Sequence, residues 1–109
     1  MKPIEFNVEL EKRIDKIKHV LSTKSAEYSK ASDKHYNFKR AAEIIRKTPE
    51  TALWGMFLKH YVSIQDIVEK IEETGEAPNE ELMSEKIGDA INYLILLETL
   101  VKERRDNAE

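Results

Sequence analysis

Cysteine is absent from this chain. Disulfides, zinc–thiolate sites and thiol nucleophiles are therefore excluded. The composition fits a reducing compartment, and a cytoplasmic location is expected, the host cytoplasm if the chain is phage-encoded. With only three glycines and three prolines, there is no glycine-rich phosphate loop, no nucleophile elbow and no paired-histidine zinc motif. Hydride transfer and acyl transfer through a serine triad lose their support with them. No apolar run approaches the roughly 20 residues of a membrane-spanning helix, and the opening Met1-Lys-Pro-Ile-Glu-Phe lacks the apolar run of a signal peptide. No membrane partner is expected. The net charge of −3 makes no general case for nucleic acid, so no direct nucleic-acid binding is expected. Internal repeats and low-complexity segments are also missing.

What is present is 109 residues, 40% apolar and 36% charged. This composition suits one small helical domain over residues 1–109 rather than a disordered chain. The core is expected over residues 8–104, with a frayed tail at 105–109. A domain this small buries a modest share of its surface, so association into a homo-oligomer is an expected aid to stability.

The spacing predicts four helices and no strand. The first covers residues 8–28, with Leu10, Ile14, Ile17 and Leu21 at helical intervals. A polar turn follows at 29–33. The second covers residues 34–47, its inner face being Phe38, Ala41, Ala42 and Ile45. Thr48-Pro49-Glu50 is a strong helix start: a capping hydroxyl, proline in the first turn, then an acid at the positive dipole end. The third helix runs over residues 49–73 on a stripe of Leu53, Phe57, His60, Ile64, Ile67 and Ile71, and Gly75 ends it. Trp54, Tyr61 and Val68 widen its apolar face, which suits burial by another subunit or a binding groove. Asn79 caps the fourth helix, residues 80–104. The expected architecture is a compact all-α bundle of about four helices.

On the fourth helix, Glu85, Asp89 and Asn92 stand four and then three residues apart, which places them on one stripe. Residues 94–97 are all apolar, so the stripe runs into a stretch expected to be buried. Two carboxylates and an amide entering a buried region need partners, since buried charge is costly unless paired or metal-bound. A divalent cation such as Mg²⁺ is one answer, because it takes oxygen ligands, commonly one or two carboxylates with water and phosphates. Neighbouring cations and buried polar groups are the other, and acidic pairs at this spacing are common on helices.

The third helix carries Lys59, Ser63 and Asp66 on one flank. Lys59 suits a phosphate as a point charge and Asp66 suits a third metal oxygen; a solvated stripe has the same spacing. His60 lies in the apolar stripe, as either a hydrogen-bonded core residue or an acid–base group titrating near neutrality. His19 and His35 have no clear partner in sequence. Between the first two helices, residues 24–38 bring together Lys24, Tyr28, Tyr36, Asn37 and Phe38. The aromatics there can stack on a base, with Asn37 on its edge, or can seal the end of the bundle; for Phe38 the core is favoured.

These motifs, taken in order, are Lys24-x-x-Glu27-Tyr28, Asp33-x-x-x-Asn37-Phe38, Leu53-Trp-Gly-x-x-Leu58-Lys-His60-x-x-Ser63-x-x-Asp66, and Glu85-Lys-x-x-Asp89-x-x-Asn92-Tyr93. Over roughly residues 20–104 the series resembles small phage and prophage proteins related to the nucleotide-modification-associated domain family. More distantly it is similar to the all-α MazG-like nucleotide pyrophosphohydrolases, which bind Mg²⁺ with acidic residues on two helices and cleave the α–β phosphate linkage of nucleoside triphosphates. The resemblance implies that Glu85 and Asp89 match the second acidic pair, here spaced by four where the enzymes show three. Asp66 and Glu69 are its candidates for the first. It implies metal ligation by Asp66, Glu85 and Asp89, and catalytic roles for Lys59, His60 and Glu69. Lys24, Tyr28, Asn37, Phe38, Asn92 and Tyr93 would then surround the nucleotide.

Three functions follow as expectations. The first is Mg²⁺-dependent hydrolysis of a nucleotide phosphoanhydride, the reaction of a nucleoside triphosphate pyrophosphohydrolase. The second is non-catalytic binding of a nucleotide or cyclic nucleotide, as in a sequestering anti-defence protein. The third is a protein-interaction module docking on a host protein.

Overall fold

The structure, a computed structural model, describes residues 1–24 and 33–108. Within them are four α-helices and no strand: α1 Pro3–His19, α2 Tyr36–Ile45, α3 Pro49–Thr74 and α4 Glu80–Asn107. The all-α expectation is met. A five-residue π-helical turn, Val20–Lys24, follows α1 where the first helix was expected to continue. The expected polar turn at 29–33 falls mostly outside the described residues.

The caps sit where local chemistry places them. Thr48 Oγ1 accepts from the Thr51 amide at 3.1 Å, and Asn79 Oδ1 accepts from the Leu82 amide at 2.7 Å. Each satisfies one orphan donor of a helix start. Gly75 closes α3 in the left-handed region at φ 71°, its amide donating to Ile71 O at 2.7 Å, a conformation that glycine adopts without steric penalty. Arg46 closes α2 in the same region at φ 57°, a C-cap with no glycine signal in the sequence.

Helices α3 and α4 form the backbone of the fold as an antiparallel pair. Arg104 donates two hydrogen bonds to the Glu50 carboxylate at one end, and His60 meets Asp89 and Tyr93 further along. That pairing carries α4 through Arg105 and Asp106 to Asn107, where a frayed tail was expected. Phe38 of α2 caps the seam, packing with Leu53 and Leu100, while Met56, Tyr93 and Leu97 close around them. Leu53 is fully buried, and its truncation to alanine would cost about 2–5 kcal/mol.

Burial is uneven. On α3 it is complete at Leu53 and Phe57, partial at Ile64 and Ile67, and lost at Ile71. On α4, Leu94 is 47% exposed, so the apolar run 94–97 is buried on one side only, not all round as expected. No residue of α1 is buried; Leu10 and Ile14, half of its expected inner stripe, face solvent. The accessible surface is 8432 Å², against about 6,200 Å² for a folded monomer of this mass. The radius of gyration is 16.5 Å, against about 13 Å for a compact domain of this length.

Candidate functional site

The stripe of Glu85, Asp89 and Asn92 lines a groove of about 500 Å³ between α1 and α4, a volume within the usual range of small-molecule sites. Helical periodicity puts these side chains on the face of α4 that looks toward α1. The opposite wall carries the cations Arg13 and Lys16, with Asp15, Ile17, His19 and Val20 beside them. Glu85 is exposed and Asp89 and Asn92 are half-buried, so the stripe borders solvent instead of entering a sealed core. The Asn92 Oδ1 atom, however, is buried and has no hydrogen-bond partner. Such an orphaned acceptor costs about 1–3 kcal/mol.

Asp89 connects the groove to the α3–α4 seam. Its Oδ2 lies 3.8 Å from His60 Nδ1, within ion-pair range and beyond a hydrogen bond. The His60 ring stacks at a tilt on Tyr93, with centroids 4.9 Å apart. Burial pushes the His60 pKa below the ordinary histidine value; Asp89 pulls it upward, while Lys59 and Lys86 push it further down. The imidazole is therefore held toward its neutral form.

The other expected site residues divide. Lys59 is exposed and acts on His60 through its field, without lining the groove. Asp66 is exposed on α3 and does not line the groove. Glu69 lies nine residues after His60, about two and a half helical turns, and so faces the opposite side of α3. The first acidic pair is thus not gathered with Glu85 and Asp89. Phe38 is a core residue set edge-on to Tyr93, ring centroids 6.3 Å apart; it offers no free face to a base. Tyr93 lies between His60 and Phe38, in the seam. Asn37 is exposed on the first turn of α2, away from the groove lining. Tyr28 and the side chain of Lys24 lie outside the described residues.

Sequence reading missed two groups. Arg13 Nη2 donates to Ser84 O at 2.9 Å and to Ser84 Oγ at 3.1 Å, and Lys16 Nζ donates to the same Oγ at 2.9 Å. The only local signal was cations three apart on a helix. The second group lies at the far end of the bundle. Here His35, buried, sets Nδ1 2.5 Å from Glu103 Oε2 and Nε2 2.8 Å from Thr99 Oγ1. Asp33, His35 and Glu103 are the one set of three such residues, among those described, whose ligand atoms fall within 4.8 Å of one another. Lys39 already donates to both carboxylates of that set, offsetting part of their charge. Hydrogen bonds from Lys39, together with one from the His35 amide to Asp33 and one to Glu103 from the His35 ring, lower both carboxyl pKa values, and the same two carboxylates raise that of Lys39. This network locks the start of α2 to the end of α4. The Asp33-x-His35 spacing was its only trace in sequence.

No helix is long and apolar enough to cross a membrane among the described residues. Comparison of the chain with family models, with curated proteins and with solved structures gave no match.

Proposed function

We propose that this chain binds a nucleotide in the groove between α1 and α4 and hydrolyses a phosphoanhydride bond of it with Mg²⁺. The observation that carries this reading is the groove's two-sided chemistry: oxygen donors Glu85, Asp89 and Asn92 on one wall and cations Arg13 and Lys16 on the other. The donor set fits a hard cation, with two carboxylates and a buried amide oxygen that has no other partner. One or two carboxylates suffice for Mg²⁺ when water and phosphate complete its shell. Glu85 and Asp89 would hold the ion. When bound, it supplies Lewis acidity toward a phosphoryl oxygen. His60 stands behind Asp89 as a positioning residue, and its depressed pKa leaves it largely neutral at pH 7. The resemblance to the nucleotide-modification-associated and MazG-like proteins supports the same substrate class.

One observation favours the second reading, binding without turnover. Glu69 is turned away and Asp66 does not line the groove, so only one of the two expected acidic pairs, Glu85 and Asp89, is in place for a hydrolase.

The test is a panel of deoxynucleoside triphosphates, ribonucleotides and cyclic nucleotides, with and without Mg²⁺. Products are resolved by chromatography and binding is followed by calorimetry. Mg²⁺-dependent release of pyrophosphate that Asp89→Asn abolishes is the expected result. Binding with intact ligand moves the assignment to sequestration. Absence of both overturns nucleotide handling in favour of a protein-interaction module.

The apolar surface points to a second copy of this chain as partner. The excess of about 2,200 Å² per chain, about 4,400 Å² for two, falls within the scale of an obligate homodimer interface, about 2,000–5,000 Å² in total. Trp54, Leu58, Tyr61 and Val68 are exposed along one stripe of α3, interrupted by Gln65, at the intervals of a helix–helix seam.

A further inference from the structure

We propose that Arg13, Lys16 and Ser84 form an anion-binding subsite that takes the phosphate chain of the ligand. Its identity as a nucleotide's phosphate rests on the reading above; the subsite itself rests on geometry. Two cations of α1 converge on one neutral oxygen, Ser84 Oγ, at 3.1 and 2.9 Å. Neither enters an ion pair among the described residues. Asp15, Glu81 and Glu85 border the same groove without reaching ion-pair distance of either. Two unneutralised like charges held this close repel, and an anion bridging them relieves that repulsion.

Ser84 contributes as well. Its hydroxyl accepts from both cations and its own proton makes no hydrogen bond among the described residues, so ammonium, guanidinium and hydroxyl can donate together to one phosphate oxygen set. Charge-assisted bonds of this kind are the stronger class, and the guanidinium fork suits phosphate geometry. Gly88 leaves room for the arrangement. A Cβ there would stand 2.7 Å from Arg13 Nη1, the far end of a flexible side chain, so an alanine would make the guanidinium shift. The three residues also line a neighbouring groove of about 480 Å³. They therefore form the saddle between two cavities, where a phosphate chain can pass with a bulkier group on either side. Glu85 and Asp89 give the first groove its opposite sign beyond the saddle, where a divalent cation would add to the affinity for a phosphate chain that the cations already hold.

The probe is inorganic tripolyphosphate, titrated calorimetrically into the full chain in the presence of a chelator. Binding by the wild type is expected. Arg13→Gln and Lys16→Gln should each weaken it by about tenfold or more, and Gly88→Ala should weaken it with both cations retained. Lys102→Gln, on the exposed Asp106 pair away from both grooves, should leave affinity unchanged. If Arg13→Gln loosens α1, seen as lost helicity, Lys16→Gln and Gly88→Ala carry the test. Absence of wild-type binding, unchanged affinity in Lys16→Gln and Gly88→Ala, or an equal loss in Lys102→Gln overturns the subsite. The two proposals fail separately. Tripolyphosphate binding in a protein that neither binds nor cleaves nucleotides keeps the subsite and removes the nucleotide reading. Full nucleotide turnover in Lys16→Gln does the reverse.

Discussion

His60 Nδ1 and Asp89 Oδ2 face one another across the α3–α4 seam at 3.8 Å, a carboxylate of the groove wall set beside an imidazole that burial keeps from charging. Two opposed effects meet there, and burial is the larger. The His60 titration midpoint should therefore fall below the ordinary value of about 6.5. Asp89→Asn removes the one upward pull and should lower it further. Proton NMR of the imidazole Cε1–H across pH 4–9 reads both shifts, and a wild-type midpoint above the ordinary value contradicts the argument. The unfolded chain then binds the proton more readily than the native one. His60 thus subtracts stability as pH falls below the ordinary histidine value, until both states are protonated.

Under the proposed function, Asn92 trades stability for binding. Its buried Oδ1 has no partner, so Asn92→Leu removes an unsatisfied acceptor while roughly keeping volume. Thermal or chemical unfolding should show the variant unchanged or up to about 1 kcal/mol more stable. Nucleotide affinity measured in Mg²⁺ should drop at the same time. A loss of several kcal/mol would mean that the amide has a structural partner.

The network of Asp33, His35, Lys39 and Glu103 makes stability depend on pH in two windows. The pKa values of Asp33 and Glu103 are lowered in the folded chain, so their contribution is complete above the ordinary carboxylate values and is lost as pH falls through the lowered ones. That of Lys39 is raised, so its contribution is complete below its ordinary value and is lost as pH rises through the raised one. Urea unfolding between pH 3 and 7 should show an acid-side decline that Glu103→Gln flattens. At neutral pH that variant should cost about 1–2 kcal/mol, solvent screening limiting the half-exposed Lys39 pair and the amide offering one acceptor where the carboxylate offered two. An unaltered pH profile in Glu103→Gln would remove the network from the stability account.

Light scattering at micromolar concentration should give a mass above that of one chain. Tyr61→Lys places a charge in the middle of the exposed α3 stripe, where Tyr61 is 52% accessible, and should shift the protein toward monomer without loss of helicity. A wild-type monomer would show that this face is not covered by a second copy.

The helices were legible in the sequence because what makes them is local. Apolar spacing, the Thr48 and Asn79 caps and the glycine at 75 act over four residues or fewer, and α3 and α4 start at the residues these signals indicate. The alignment of Glu85, Asp89 and Asn92 was legible for the same reason, since residues on one helix keep a constant angular relation. What faces that stripe was not. Arg13 and Lys16 reach Ser84 across about 70 residues of chain, and His35 reaches Glu103 across 68; no periodicity within one helix encodes such a meeting. Only the rotation of each helix about its axis decides that Glu69 stays out of the groove that Glu85 and Asp89 line while Phe38 turns into the core. That rotation is set by which pair of apolar faces buries most surface together, a property of the assembled bundle and of no single segment.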